Sequence, residues 1–260
     1  MGAFALSPIL ASLVQIGGMG AVMAGMVVPL AALIPIACIV TSKDRNSPTA
    51  QISDEPPHAI SLGTLCGRMM HNRTFVLLMV GFSTCGFHMV IIESHLFSQY
   101  LSYGIEESVA SWVFSLYGVF TISGALLSGW LSTRISKSAL LSFYYGFRAV
   151  WVLAYIFFVP KNVVTAILFS AGLGMTGDAT VSPTSGLVSR EFAFSEVASL
   201  IGVLFFCHQI GAFLSAWLGG VLFSLTGGYE ILWVLDAGLC LIACVASKAI
   251  PSQAPSSSRS

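Results

Sequence analysis

Residues 74–92 read TFVLLMVGFSTCGFHMVII, a run with no Asp, Glu, Lys or Arg. At a helical rise of about 1.5 Å per residue the run is roughly 28 Å long, close to the ~30 Å hydrocarbon core of a bilayer. A soluble surface helix of this length shows a continuous polar face; here only Thr74, Ser83, Thr84 and His88 interrupt the apolar surface. The stretch is read as a transmembrane helix. Working outward, comparable spans fall at 18–40, 109–131, 138–159, 162–187, 197–225 and 231–247. An eighth apolar piece, 3–16, is too short to cross and has no basic leader, so it reads as a helix with its beginning cut off.

Bulk composition agrees. The chain has 260 residues, 56% hydrophobic and 8% charged, whereas an average soluble domain is about 25% charged. Mean hydropathy is +0.87. No charged side chain precedes Lys43, and a formal net charge of zero leaves no basic surplus for nucleic acid. The long unbroken runs lack the alternation of barrel strands. The expected fold is all-α, a polytopic transmembrane helix bundle. Five of the six cysteines (Cys38, Cys85, Cys207, Cys240 and Cys244) lie in apolar spans and Cys66 in a loop, with no CxxC pair. They read as small buried hydrophobes.

Charge sets the orientation. Lys43, Arg45, Arg68, Arg73, Arg134, Lys137, Arg190, Lys248 and Arg259 fall on one side if the spans alternate. The other side receives Lys161 together with Glu93, Glu106, Glu107 and Glu230. The positive-inside rule places the 41–73 connection and the C-terminus in the cytoplasm of a cell membrane. The 41–73 connection opens with a flexible Pro/Ser/charge-rich linker, and Ile60, Leu62, Leu65 and Met69 suit a short surface helix after it. The domain expectation is 1–40, then the 41–73 loop, a compact bundle over 74–247 and a disordered tail over 248–260. Small residues four apart (Gly124 and Ser128; Gly211, Ser215 and Gly219) allow close helix approach. Gly172, Gly174, Gly177 and Pro183 loosen the 162–187 span.

Between the 109–131 and 138–159 spans the sequence reads GWLSTRISK, residues 129–137. This resembles the G-x-L-x-D-R-x-G-R-K loop signature of the major facilitator superfamily. Gly129, Leu131 and Arg134 match, and Lys137 keeps a basic position; Thr133, Ser136 and Ser138 depart from the signature's Asp, Gly and Lys. Such departures fit the copy in the second half of these transporters. CGFHMVIIESHL (85–96), SHLFSQYL (94–101) and HQIGAFLSAWLGGVLFSLTGGY (208–229) are similar to the bacterial monocarboxylate and oxalate/formate-antiporter-like branch. The resemblance implies that 74–247 is the C-terminal six-helix half. It makes 18–40 the sixth helix and 3–16 the end of the fifth, both from the N-terminal bundle, with the earlier helices missing. It further implies a bacterial inner membrane, transport of a small organic anion by alternating access, possible proton coupling, and no cofactor.

Within the spans, ionisable residues are the site candidates, because burying charge in a bilayer is costly without a partner or cavity. Arg148 can grip a carboxylate with two parallel hydrogen bonds, or it can form a structural pair with Asp178. His88 and His208 either face the cavity and carry a proton or are core histidines bonded to a neighbour. Asp236 exchanges protons or serves near the outer surface, and Asp178 lies in the inner half of its span. No metal centre is expected: His88 and His95 are seven apart and lie about two turns from each other, which makes a lining of the pore entrance the preferred account.

Two rival classes fare less well. A membrane metalloprotease needs HExxH, which is absent, and a retinal protein needs a lysine deep in its last span, where Lys248 sits at the end. The chain is therefore not expected to be an enzyme. A third reading stays open: half of a two-bundle transporter supplies half a cavity, so the chain is either truncated or a non-transporting remnant or subunit that needs a partner bundle.

Overall fold

A computed structural model describes residues 62–251, together with seven helical positions (17, 18, 20, 24, 25, 27 and 35). The expected 3–16 piece, most of the 18–40 span, the 41–61 linker and the tail from 252 lie outside the described residues.

The described chain is helical throughout. Helix α1 spans Leu62–His71, and α2 spans Arg73–Ile91. A π-helical turn over Ile92–Leu96 follows, and α3 (Phe97–Ser102) completes the same span. Next come α4 (Glu107–Leu131), α5 (Lys137–Phe158), α6 (Val163–Thr176), a 3-10 turn (Asp178–Thr180) and α7 (Val181–Glu191). Helices α8 (Phe194–Thr226) and α9 (Glu230–Lys248) close the chain. Taken as continuous rods these form six candidate spans: Arg73–Ser102, Glu107–Leu131, Lys137–Phe158, Val163–Glu191, Phe194–Thr226 and Glu230–Lys248.

Local chemistry starts and stops the helices. The Asn72 side chain accepts from the Phe75 amide at 3.0 Å and caps α2. Asn162 and Thr165 form a reciprocal capping box on α6, and Gly227 ends α8 with φ 73°. At the end of α5 the Lys161 ammonium donates to the carbonyls of Tyr155, Ile156 and Val159, acceptors left free by the helix terminus.

Helix α2 is the hub. It packs mainly against α8 and α9, while α9 covers α5 and α4 packs on α6. Among the six described spans, the one containing α2 is the most buried, at 67% of its apolar window, and α8 the least, at 22%. The α2–α8 contact is backbone to backbone: a Cβ on Gly86 would strike the His208 carbonyl, and one on Gly211 would strike the Ser83 carbonyl. Gly124 on α4 faces the Met175 carbonyl of α6 in the same way. Such approaches add dispersion contact where lipid removes the hydrophobic drive between helices. On the outside of the bundle, Trp112, Phe143, Val150, Phe157, Leu225 and Val245 are exposed, as expected of a surface that meets acyl chains.

Candidate functional site

The centre of the bundle is organised around an interruption in the Val163–Glu191 span. Pro183 has no N–H and cannot bond the carbonyl of Ala179, four residues earlier. That carbonyl instead accepts a hydrogen bond from the Ser128 hydroxyl of α4. The Val181 amide bonds the Asp178 carbonyl in a 3-10 pattern, which leaves the Gly177 carbonyl without its α-helical donor. Arg148, from α5, supplies the missing donors. Its Nη2 reaches the Gly177 carbonyl at 2.7 Å and also donates to the Thr176 carbonyl. A guanidinium at the C-terminal end of α6 also opposes the negative pole of that helix.

Arg148 is fully buried, and its Nε and Nη1 have no partner among the described residues. Its guanidinium lies 5.3 Å from the Tyr145 ring centroid. Of the two readings of Arg148, the structural pair with Asp178 is not formed: no ion pair joins the two among the described residues, and Asp178 is exposed. The reason is local. The 3-10 turn leaves Asp178 at the open face, while the carbonyls just before it take the guanidinium.

His88 does not line an entrance, because it has no exposed surface. Its Nδ1 is 2.7 Å from the Asp236 carboxylate of α9, which is equally buried, and its Nε2 has no partner among the described residues. Asp236 is thus held inside the bundle by a histidine, six residues into its helix. Its other oxygen receives only the Cys240 thiol, at 3.9 Å. Sequence spacing pointed away from a metal centre, yet one ligand atom each from His88, Asp236 and Cys240 lie within 4.8 Å of one another. Linear distance hid this group, because α2 and α9 are far apart in the chain.

His208 is half-buried on α8. Its ring lies 5.3 Å from that of Phe82 and 6.2 Å from that of Phe205, and its Nδ1 is 3.3 Å from Gln209 Oε1. Glu93, exposed in the π-helical turn, is within electrostatic reach of both Asp178 and His208. Glu93 thereby interacts electrostatically with the 3-10 turn and with α8. Cys85 lies in the core: its thiol sits 3.3 Å from Thr180 Oγ1 and within electrostatic reach of Arg148. His95, read as part of the mouth, packs its ring against Gly219 of α8.

The loop motif lies at one end of the bundle. Gly129 and Leu131 belong to the last turns of α4. Arg134 is exposed, with its guanidinium 4.5 Å from the Trp130 ring centroid. Lys137 opens α5 and lays its aliphatic stem against Gly186 of α7.

Comparison with known proteins agrees with this architecture. The sequence profile described as Major Facilitator Superfamily matches residues 89–260, more than half of the chain. The chain is 29% identical over 178 residues to the uncharacterized MFS-type transporter YcxA of Bacillus subtilis (strain 168), covering 67% of this chain and 42% of that protein. It is 28% identical over 148 residues to Monocarboxylate transporter 12-B of Danio rerio, covering 55% of this chain and 30% of that protein. The chain thus spans less than half the length of the curated relatives it matches.

Proposed function

Since the chain belongs to the major facilitator superfamily and forms the C-terminal half of its fold, we propose that it serves secondary transport of a small organic anion, a monocarboxylate, by alternating access. The observation that carries the reading is the Arg148 guanidinium, buried at a broken span with two donor nitrogens unengaged. A carboxylate is the natural partner for a planar fork of this kind. Arg148 is closed off in the present conformation, so binding requires the α6–α7 break to open. An interrupted helix near the membrane centre is a common place for such movement.

In this reading His208, Glu93 and Asp178 line the pathway on the open face, and the His88–Asp236 pair holds the exchangeable proton. The pathway runs between this bundle and an N-terminal six-helix bundle. Residues 41–73 form the cytoplasmic connection, and the C-terminus is cytoplasmic in a bacterial inner membrane.

Uptake of labelled lactate or pyruvate into proteoliposomes carrying the full chain, with and without a pH gradient, tests the proposal. Uptake above that of empty vesicles, competed by other short monocarboxylates and lost in Arg148→Met, is the expected result. Uptake that appears only when an N-terminal bundle is co-reconstituted supports the subunit reading. No uptake under either condition overturns the proposal.

A further inference from the structure

We propose that His88, Asp236 and Cys240 form a binding site for a thiophilic divalent cation of the zinc type. The donors are an imidazole nitrogen, a carboxylate oxygen and a thiol sulfur, contributed by two helices. Asp236 and Cys240 stand one helical turn apart on the same face of α9, and α2 brings His88 against them. A tetrahedral ion with bonds of about 2.0–2.3 Å holds its ligand atoms about 3.3–3.8 Å apart. The three atoms already lie within 4.8 Å of one another, and the His88–Asp236 contact of 2.7 Å has to open slightly.

The second observation is a deficit of partners. All three residues are fully buried. Among the described residues one Asp236 oxygen has a single weak thiol donor, and His88 Nε2 has no partner. Buried polar groups in that state are costly, and a cation bound to the cluster relieves the deficit at the carboxylate. Donor chemistry sets the class of ion. Magnesium and calcium want six or more oxygens, whereas mixed N/O/S sets suit zinc, cobalt or cadmium. An ionised carboxylate and a thiolate also cancel a double positive charge. Arg148, within electrostatic reach of Cys240, opposes any further cation, so an ion that forms a strong thiolate bond is favoured. In the transport reading such an ion takes the place of the proton on the His88–Asp236 pair, but binding itself depends on no assumption about transport.

The test is metal content of the full chain, purified in detergent from cells grown with added zinc and washed of loosely held ions. About one ion per chain is expected in the unmodified protein. Cys240→Ser and His88→Gln should each lower retention by at least about tenfold. Cys244→Ser, which removes the cysteine one turn further along α9, should retain the ion. Cobalt in place of zinc should give a thiolate charge-transfer band that Cys240→Ser abolishes. Helical circular dichroism and monodisperse elution establish that each variant is folded, and Cys240→Ser, the smallest change, decides if His88→Gln is not. Metal at background level in the unmodified protein, or content that survives Cys240→Ser, overturns the proposal.

Discussion

Arg148 Nη2 lies 2.7 Å from the carbonyl of Gly177, so a fully buried cation on one span closes the backbone break of the next. The donor and the broken ladder depend on each other. Without the 3-10 turn the Gly177 carbonyl would keep its own α-helical donor, and without the guanidinium it stands unpaired in the bundle.

Arg148→Ala should therefore destabilise the bundle as well as reduce transport. A hydrogen bond to a charged donor contributes about 1.5–3 kcal/mol, and the lost partners leave buried acceptors behind. Arg148→Lys keeps the charge but not the fork, so it should recover part of the stability and little of the uptake. Thermal unfolding in detergent, followed by circular dichroism alongside uptake, separates the two effects. Equal recovery of both by lysine would contradict this account.

For the His88–Asp236 pair, single replacements should cost more than a double one. Removing one partner of a buried pair costs about 3–5 kcal/mol, because the other group is left uncompensated. His88→Leu with Asp236→Leu should be closer to the unmodified protein than either single variant. A double-mutant cycle on unfolding midpoints measures the coupling, and additive losses would show that the contact carries no specific energy.

Gly211→Ala and Gly86→Ala should each loosen the α2–α8 contact, since the added methyl meets a backbone carbonyl that cannot rotate away. Overpacking of this kind costs about 1–3 kcal/mol. Gly220→Ala, on α8 with open space around it, is the control and should change little. Comparable losses at all three positions would refute the close-approach argument.

The Arg68–Glu196 ion pair ties α1 to the first turn of α8, with Glu196 buried and the Arg68 side chain 51% exposed. An exposed partner limits such a pair to about 0–1 kcal/mol. Arg68→Ala should leave global unfolding nearly unchanged while speeding hydrogen exchange over Leu62–His71. Unaltered exchange there would show that other contacts hold α1 in place.

Much of this was legible along the chain, and the reasons differ by feature. Span positions were readable because lipid demands long apolar helices, and the observed ends fall within a few residues of the apolar limits, except that the span read as 74–92 runs on through the π-helical turn to Ser102. The weakness near Gly177 was readable from glycines and a proline. What took up the freed carbonyls was not, although counting four residues back from Pro183 identifies Ala179 as the acceptor that needs a donor. Depth alone left an Arg148–Asp178 pair open as one alternative, because depth says nothing about the side to which a turn directs a carboxylate. Cys240 read as a small hydrophobe because its polar neighbour His88 lies on another helix.

By itself, the sequence determined that the polypeptide crosses a membrane as helices, roughly where each crossing lies, and which crossing is broken. Those properties follow from transfer of apolar side chains and from the special backbones of Gly and Pro, which act over a few residues. Only the tertiary structure decided that Arg148 serves a neighbour's carbonyls, that His88 meets Asp236, and that Glu93 comes within electrostatic reach of Asp178 and His208. Hydrogen bonds and charge pairs act over a few ångströms, and helix packing alone brings residues from distant parts of the chain within that range.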